Sequence, residues 1–495
     1  MKGDQSILTS YLFMYRTAAV SIAAVLLCLV TFPAHAGRIE AGTFIAHDTL
    51  GTNRTPDRVT FQQTFDTPPV VIVIGSSNGS NSASVRVTNV TTTGFDELII
   101  EPDNWDGRHL QMVTYYIAVE PGRHALSGGQ VIEAGLLPTS AVQFGTGFTG
   151  GIPGWANVSF TRSLNTVPTI LHNLQTANSE TNNPANGPSR PHITSIAQSP
   201  SLAGFQLAID RSQANSGPFP SSETIGWIAF PNGGSGSFSD INGTSINWSA
   251  VTSAANIRGW DNGCVTNSHA LTGASNPIVV AKKATRNNGD GGWLRYCSVN
   301  ATTIALRVDE DRDQDNERSI STADAESAAI VAFSSSFHAN LRANLAITKT
   351  HTSITNTSGS AFALPQAVVT YRITVTNSGN SPPNEDSVIL TEELPPELAL
   401  VLADFGAPGS GPVLFTDGSP ATGLTCTFGG FTDPSDCYSF STDGADFSYE
   451  PTDGGTGSGT DPNARFIRIE PSGFMNEAAV AGDPNFALQL RTRIR

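Results

Sequence analysis

Apolar and polar side chains alternate cleanly along Met112–Val119: Val113, Tyr115, Ile117 and Val119 share one side, and Met112, Thr114, Tyr116 and Ala118 the other. A period of two predicts a β-strand. Upstream, Thr64–Gly75 (TFDTPPVVIVIG) is an apolar run entered through two prolines, where a missing N–H does least harm to a ladder. Between them, Ser84–Glu101 (SVRVTNVTTTGFDELIIE) predicts two alternating strands around a Thr-rich turn and Gly94.

The same order recurs twice. In the second stretch it runs Ser163–Thr176, then Pro191–Asp210, then Glu223–Phe230; in the third, Ser275–Thr285, Trp293–Glu310 and Glu326–Phe333. The first two stretches also open alike, on RIEAGTF (Arg38–Phe44) and VIEAGLL (Val131–Leu137). Repetition at this length means whole small domains rather than solenoid units. Phe230–Ser245, rich in Gly and Ser, reads as a flexible linker between the second and third. After Asn344 the pattern changes. Leu345–Thr350, Ala367–Asn380, Ile389–Val401, Arg465–Gly473 and Phe486–Arg495 are strand candidates around an Asn-Ser-Gly turn. The boundaries implied are 1–36, 37–128, 129–233, 234–340 and 341–495, since 495 residues exceed a single core. The fold class expected is all-β, with tandem antiparallel β-sandwich modules.

The RIEAG opening, the F-x-x-PPVV strand, the V-T-x-x-GF turn and the Trp before a final aromatic strand resemble the H-type lectin domain. The resemblance covers about 37–125 and extends more weakly over 130–232 and 242–337. It implies a six-stranded antiparallel sandwich, usually trimeric, that binds N-acetylgalactosamine and related galactose-like sugars in shallow sites. The V-x-Y-x-I-x-V-x-N-x-G core near Ala367–Asn380 resembles an Ig-like conserved repeat domain of bacterial surface proteins, which implies a stalk or spacer. By that resemblance the chain is a secreted or surface protein.

A shallow sugar site needs polar groups for hydroxyls and an aromatic face for the C–H side of the ring. The lectin resemblance places the Arg on the strand before the GF turn at Arg86, and the aromatic at Trp105 with Asp106 beside it. The loop there is about two residues longer than the family pattern, so Asp103, Asp106 and His109 compete for the polar role. Asp48 is the nearest acidic group from the N-terminal loop. His192 takes the Arg86 position in the second module and Arg295 in the third. The plain structural reading of these residues is a cross-strand pair for Arg86, an end cap for Trp105 and a turn for His109.

Composition narrows the classes. The formal net charge is −16, with charged residues at 14% and no basic stripe, which disfavours nucleic-acid partners. Lys2 and Arg16 precede an apolar run, Thr17–Phe32, that ends in Ala34-His35-Ala36. This predicts a signal peptide cleaved before Gly37; the run is shorter than the roughly 20 residues of a membrane span. No other segment could cross a membrane. Cys264, Cys297, Cys426 and Cys437 then remain, an even count that suits disulfides. Nearest-neighbour pairing keeps each bridge inside one module, and two other connectivities stay open. The acidic run Asp309–Arg318 lacks the Gly and terminal Glu of an EF-hand loop and reads as solvated rather than calcium-binding. GSSNG (Gly75–Gly79) fits G-x-S-x-G, but a strand follows where a nucleophile elbow needs a helix. No metal site, cofactor site or catalytic pair is evident. The reading is a non-catalytic glycan-binding protein, for which the lectin resemblance implies a homo-oligomer; the alternative is a structural adhesin whose sandwiches contact proteins or self-assemble.

Overall fold

The structure is a computed structural model that describes residues 28–30, 37–47, 56–102, 109–144, 153–179, 192–211, 221–312, 317–359, 361–478 and 481–495. Antiparallel β-sheets make up the architecture, and no α-helix occurs among the described residues. By its contacts the chain divides into two units. One comprises 37–126 with 130–341, the other mainly 342–495. Of the apolar N-terminal run only Cys28–Val30 is described, as strand β1 beside Leu390–Glu392 in the second unit.

The first unit repeats one strand plan three times. Module one has β2 (Gly37–Ala46), β3 (Asp57–Thr60), β4 (Val70–Gly75), β5 (Ser84–Thr91), β6 (Gly94–Ile100) and β7 (Met112–Val119), then a short outgoing strand β8 (Gly122–Leu126). Strands β2, β7 and β4 form one sheet, and β3, β6 and β5 the sheet that faces it. Module two follows with β9 (Gln130–Thr139), β10 (Val142–Gln143), β11 (Ala156–Ser159), β12 (Pro168–Leu174), β13 (Thr194–Gln198), β14 (Gly204–Asp210) and β15 (Glu223–Pro231), and its outgoing strand is β16 (Ser235–Ser239). Module three has β17 (Ser245–Thr252), β18 (Val265–Ser268), β19 (Ile278–Lys283), β20 (Trp293–Val299), β21 (Thr303–Asp309) and β22 (Ala328–Phe333), with β23 (Phe337–Leu341) outgoing.

Each outgoing strand joins the sheet of the next module. Strand β8 pairs with β9 and β16 with β17, while β23 returns to β2 in register Gly37↔Leu341 to Ala41↔Phe337. The three modules therefore close into a ring. The expected flexible linker at 230–245 is instead the end of β15, the hairpin of β16 and β17, and its turn. Its Gly and Ser residues supply turn geometry rather than slack: Asp240 Oδ1 accepts the N–H groups of Asn242 and Thr244.

Ring closure explains the continuous apolar runs. On β4, Val70, Ile72 and Ile74 enter one core shared by all three modules, and Val71 and Val73 enter the module's own sandwich. A strand buried on both faces has no polar side to show. The tyrosine pair divides the same way. Tyr115 meets Tyr296 of module three at 5.1 Å between ring centres, whereas Tyr116 packs with Phe61 and Phe95 inside module one.

The shared E-A-G opening has a physical reason. Buried Glu40 accepts hydrogen bonds from the backbone of Gln62 and Gln63 and from the Tyr116 hydroxyl at 2.6 Å, and Glu133 accepts from Thr161. Two positions on, a Cβ at Gly42 would stand 3.0 Å from the Tyr116 ring, and one at Gly135 2.6 Å from Trp227. Module three breaks the rule consistently. Ser249 replaces the Glu and donates to His269 O, and Val251 stands where the glycines do, opposite Ile330 instead of an aromatic.

In the second unit, β24 (Leu345–Thr355), β25 (Val368–Asn377), β32 (Asn485–Ile494), β27 (Leu398–Val401) and β30 (Thr460–Asp461) form one sheet, with β28 (Val413–Asp417) also on β32. The other contains β1, β26 (Leu390–Glu393), β31 (Phe466–Ile469) and β29 (Tyr438–Ser441). Ile373, Leu390, Ile467, Phe486 and Leu488 belong to one core between them. The single strand expected at Ile389–Val401 is two, one in each sheet, because Pro395 and Pro396 interrupt the ladder.

An isolated module one exposes the apolar face of Val70, Ile72, Ile74, Ile117 and Val119. A fragment of residues 37–126 is therefore expected to self-associate or precipitate in light scattering after size exclusion, while 37–341 stays a discrete species. A monomeric, soluble 37–126 would contradict the shared core. Glu40→Ala should cost about 1–3 kcal/mol in denaturant unfolding, because it leaves two part-buried N–H groups and the buried Tyr116 hydroxyl without their acceptor.

Candidate functional site

Of the residues expected to hold a sugar, Trp105 and Asp106, with Asp103, and the N-terminal Asp48 lie outside the described residues. Arg86 and His109 are placed. Both are buried, at 4% and 8% exposure, so neither lies open at the surface.

Strand register fixes the equivalent positions. Gly94, Gly204 and Thr303 stand opposite Thr60, Ser159 and Ser268, and counting from them sets Arg86 opposite Leu98, Ile196 opposite Ala208 and Arg295 opposite Arg307. Ile196, not His192, therefore occupies the Arg86 position in module two. Arg86, Ile196 and Arg295 precede Gly94, Gly204 and Thr303 by the same interval, whereas His192 lies further back, just before β13 begins at Thr194. A Cβ at Gly94 or Gly204 would press on the Val59 or Val158 carbonyl at 2.2 or 2.0 Å, which accounts for the GF turn.

Both arginines reach across a module junction. Arg86 donates to the Ile193 carbonyl of module two, and His192 Nε2 lies 3.0 Å from Ser84 Oγ and stacks at 4.5 Å on Trp293. Arg295 donates to the carbonyls of Ser76, Asn78 and Asn81 in module one and pairs with Asp309 at 2.8 Å. Arg318 adds the Ser80 carbonyl and the other Asp309 oxygen, and Arg307 the Ser77 carbonyl. The guanidinium carbons of Arg295, Arg307 and Arg318 sit 4.9, 3.1 and 4.1 Å from the ring centre of Trp260. Cations over an indole face gain from its quadrupole, more so when desolvated.

One stretch gains a role here and one expectation changes. GSSNG is the stretch between β4 and β5 whose carbonyls these arginines hold. The acidic run is not simply solvated: Asp309, Glu310 and Asp311 are buried, and Asp309 is the hub of the clasp. Residues 313–316 of that run lie outside the described residues. Among the described residues no group of three or more His, Cys, Asp or Glu could hold a metal ion.

His109 is buried ahead of β7. Its Nδ1 lies 2.7 Å from Leu110 O and its Nε2 3.4 Å from Asn81 O, and a Cβ at Gly79 would strike its ring. Burial, then the charge of Arg295, lowers its pKa. On the central strand β6 of its sheet, Glu97 accepts the His47 N–H at 3.0 Å, and burial raises its carboxyl to about 8. The cysteines pair as neighbours, Cys264–Cys297 inside module three and Cys426–Cys437 inside the second unit. A bridge closing the longer of these loops contributes about 3–4 kcal/mol in the chain-entropy account.

Against known families, residues 57–119 match the H-type lectin domain. That segment runs from β3 to the end of β7 and contains Arg86, Trp105, Asp106 and His109, so module one carries a lectin-type domain. No curated protein and no solved structure matches the chain.

Arg295→Ala should cost about 3–5 kcal/mol in chemical denaturation, as expected for removing one partner of a buried ion pair. Between pH 4.5 and about 8, folded Glu97 holds a proton that the unfolded chain releases, so its contribution to stability falls as pH rises through that window. Glu97→Gln is expected to melt above wild type at pH 8 and to show a flatter Tm–pH profile from pH 5 to 8; identical profiles would contradict this.

Proposed function

We infer that the chain is a non-catalytic carbohydrate-binding protein that engages galactose- or N-acetylgalactosamine-like glycans through module one. The match of residues 57–119 to the H-type lectin domain is the observation that carries this. Trp105 supplies the aromatic platform, and Asp106 and Asp48 the acceptors for sugar hydroxyls. His109 is held beside Leu110 at the entry to β7, and Arg86 holds the strand before the GF turn against module two. The closed ring stands where the resembled family would assemble a trimer, which supports one chain working without partner copies. Export through the N-terminal segment, adhesion at a cell surface and a spacer role for 342–495 complete the proposal. Among the described residues no helix is long and apolar enough to cross a membrane.

One observation favours the structural adhesin instead. Arg86 and Arg295 are both engaged by carbonyls of a neighbouring module. A glycan array with the chain from Gly37 onward separates the two readings. The lectin reading expects binding to one sugar class, weakened at least about tenfold by Trp105→Ala and by Asp106→Asn in variants that remain folded by circular dichroism. A blank array with folded wild type would leave the adhesin.

A further inference from the structure

The junctions between modules follow one plan but are filled differently. On β20 and β21 of module three, Arg295 and Arg307 stand opposite each other and hold the carbonyls of Ser76, Ser77 and Asn78, which follow β4 in module one. The same register positions in module two are Ile196 and Ala208, and the residues that follow β19 in module three are 284–287. An isoleucine and an alanine cannot fill what two arginines fill, and a pocket of about 530 Å³ opens to solvent between modules two and three.

Its wall carries one aromatic ring, Trp155, with Gln143 and Gln198 from module two and Asn287 from module three. Trp155 is half-buried, and its neighbour Gly154 ties it to β10: the Gly154 N–H donates to Val142 O at 3.0 Å, and its carbonyl accepts Gln143 Nε2 at 2.9 Å. That bond fixes the Gln143 amide and leaves its Oε1 without a partner among the described residues. Gln198 ends a ladder of amides across three strands. Its Nε2 donates to Gln206 Oε1 at 2.8 Å, and Gln206 Nε2 donates to Asn157 Oδ1 at 2.9 Å. The Gln198 Oε1 is again left as an acceptor. Among the described residues the wall's one charged side chain is Arg286, and Asp210 already pairs with it at 3.4 Å.

We propose that this pocket binds a neutral saccharide of one or two rings, at a site separate from that of module one. A sugar ring has an apolar C–H face and a rim of hydroxyls, so it needs an aromatic surface and directional acceptors. Trp155 supplies the first, and Gln143 and Gln198 the second. With Arg286 paired to Asp210, nothing in the wall calls for a charged ligand. The volume lies within the roughly 300–1,000 Å³ of small-molecule sites. Side chains already held by β10 and by the amide ladder have little freedom left to lose on binding. The site uses none of the residues assigned to module one, so it does not rest on that reading. Two sites on one chain turn weak single contacts into avidity on a clustered glycan surface.

The test is an array of neutral glycans probed with the full chain, Trp105→Ala, Trp155→Ala and the double variant, each checked for folding by circular dichroism. Trp105→Ala is expected to keep binding a subset of the glycans, and the double variant to lose at least about tenfold on that subset. A Trp105→Ala chain that binds nothing, or whose binding is unchanged when Trp155→Ala is added, overturns the junction site. Loss of all binding in Trp155→Ala with Trp105→Ala unaffected supports the junction site and sinks the one in module one. Should Trp155→Ala fail to fold, Gln198→Ala takes its place in both variants; the same loss is expected, and an unchanged signal counts against the pocket.

Discussion

Everything in the first unit depends on one backbone interaction, the pairing of each module's outgoing strand with the first strand of the next. Had β8, β16 and β23 folded back on their own modules, each sandwich would keep an exposed apolar face on β4, β12 or β19. Passed onward, the three strands bring those faces together, and β23 on β2 closes the circle. Burial of apolar surface is the main favourable term in folding, at about 25 cal/mol per Å². The shared core, running from Ile39 in module one through Leu171 to Phe333, is where that term accumulates.

The polar groups follow from closure. A strand that faces a neighbour instead of solvent must satisfy its loops there, and Arg295 and Arg318 do so for the carbonyls of 76–81. At the junction of modules two and three the polarity is reversed: Arg286 comes from the loop and Asp210 from the sheet. The arginines at this register position thus serve assembly in two modules. This explains why Arg86 and Arg295 share a register position without sharing an exposed site. It also concentrates basic side chains where the three modules meet.

Much of this was legible in advance. The alternation at Met112–Val119 is a strand as expected, though that its two faces enter different cores was not foreseen, and the recurring strand order is the order of the strands. The E-A-G opening was visible as a repeat; its cause, a buried acceptor and a glycine under an aromatic ring, was not. His192 was misassigned because the apolar pattern aligns whole stretches and not the strand register, and the register puts Ile196 at that position. The supposed linker at 230–245 went wrong because Gly and Ser suit a tight hairpin as well as a loose tether.

The sequence by itself determined the local matters: strands, turns, the all-β class, an even set of cysteines suited to disulfides, and a segment in module one that resembles the H-type lectin domain. Periodicity, turn chemistry and short loop closure act over a few residues or tens of residues, so they can be read along the chain. Only the tertiary structure decided which module each outgoing strand would join, that an arginine in one module would hold the loop of another, and that three modules would share a core. Those outcomes depend on contacts between residues as far apart as Ser80 and Arg318, 238 positions along the chain, and no local pattern encodes which partner a buried face will meet.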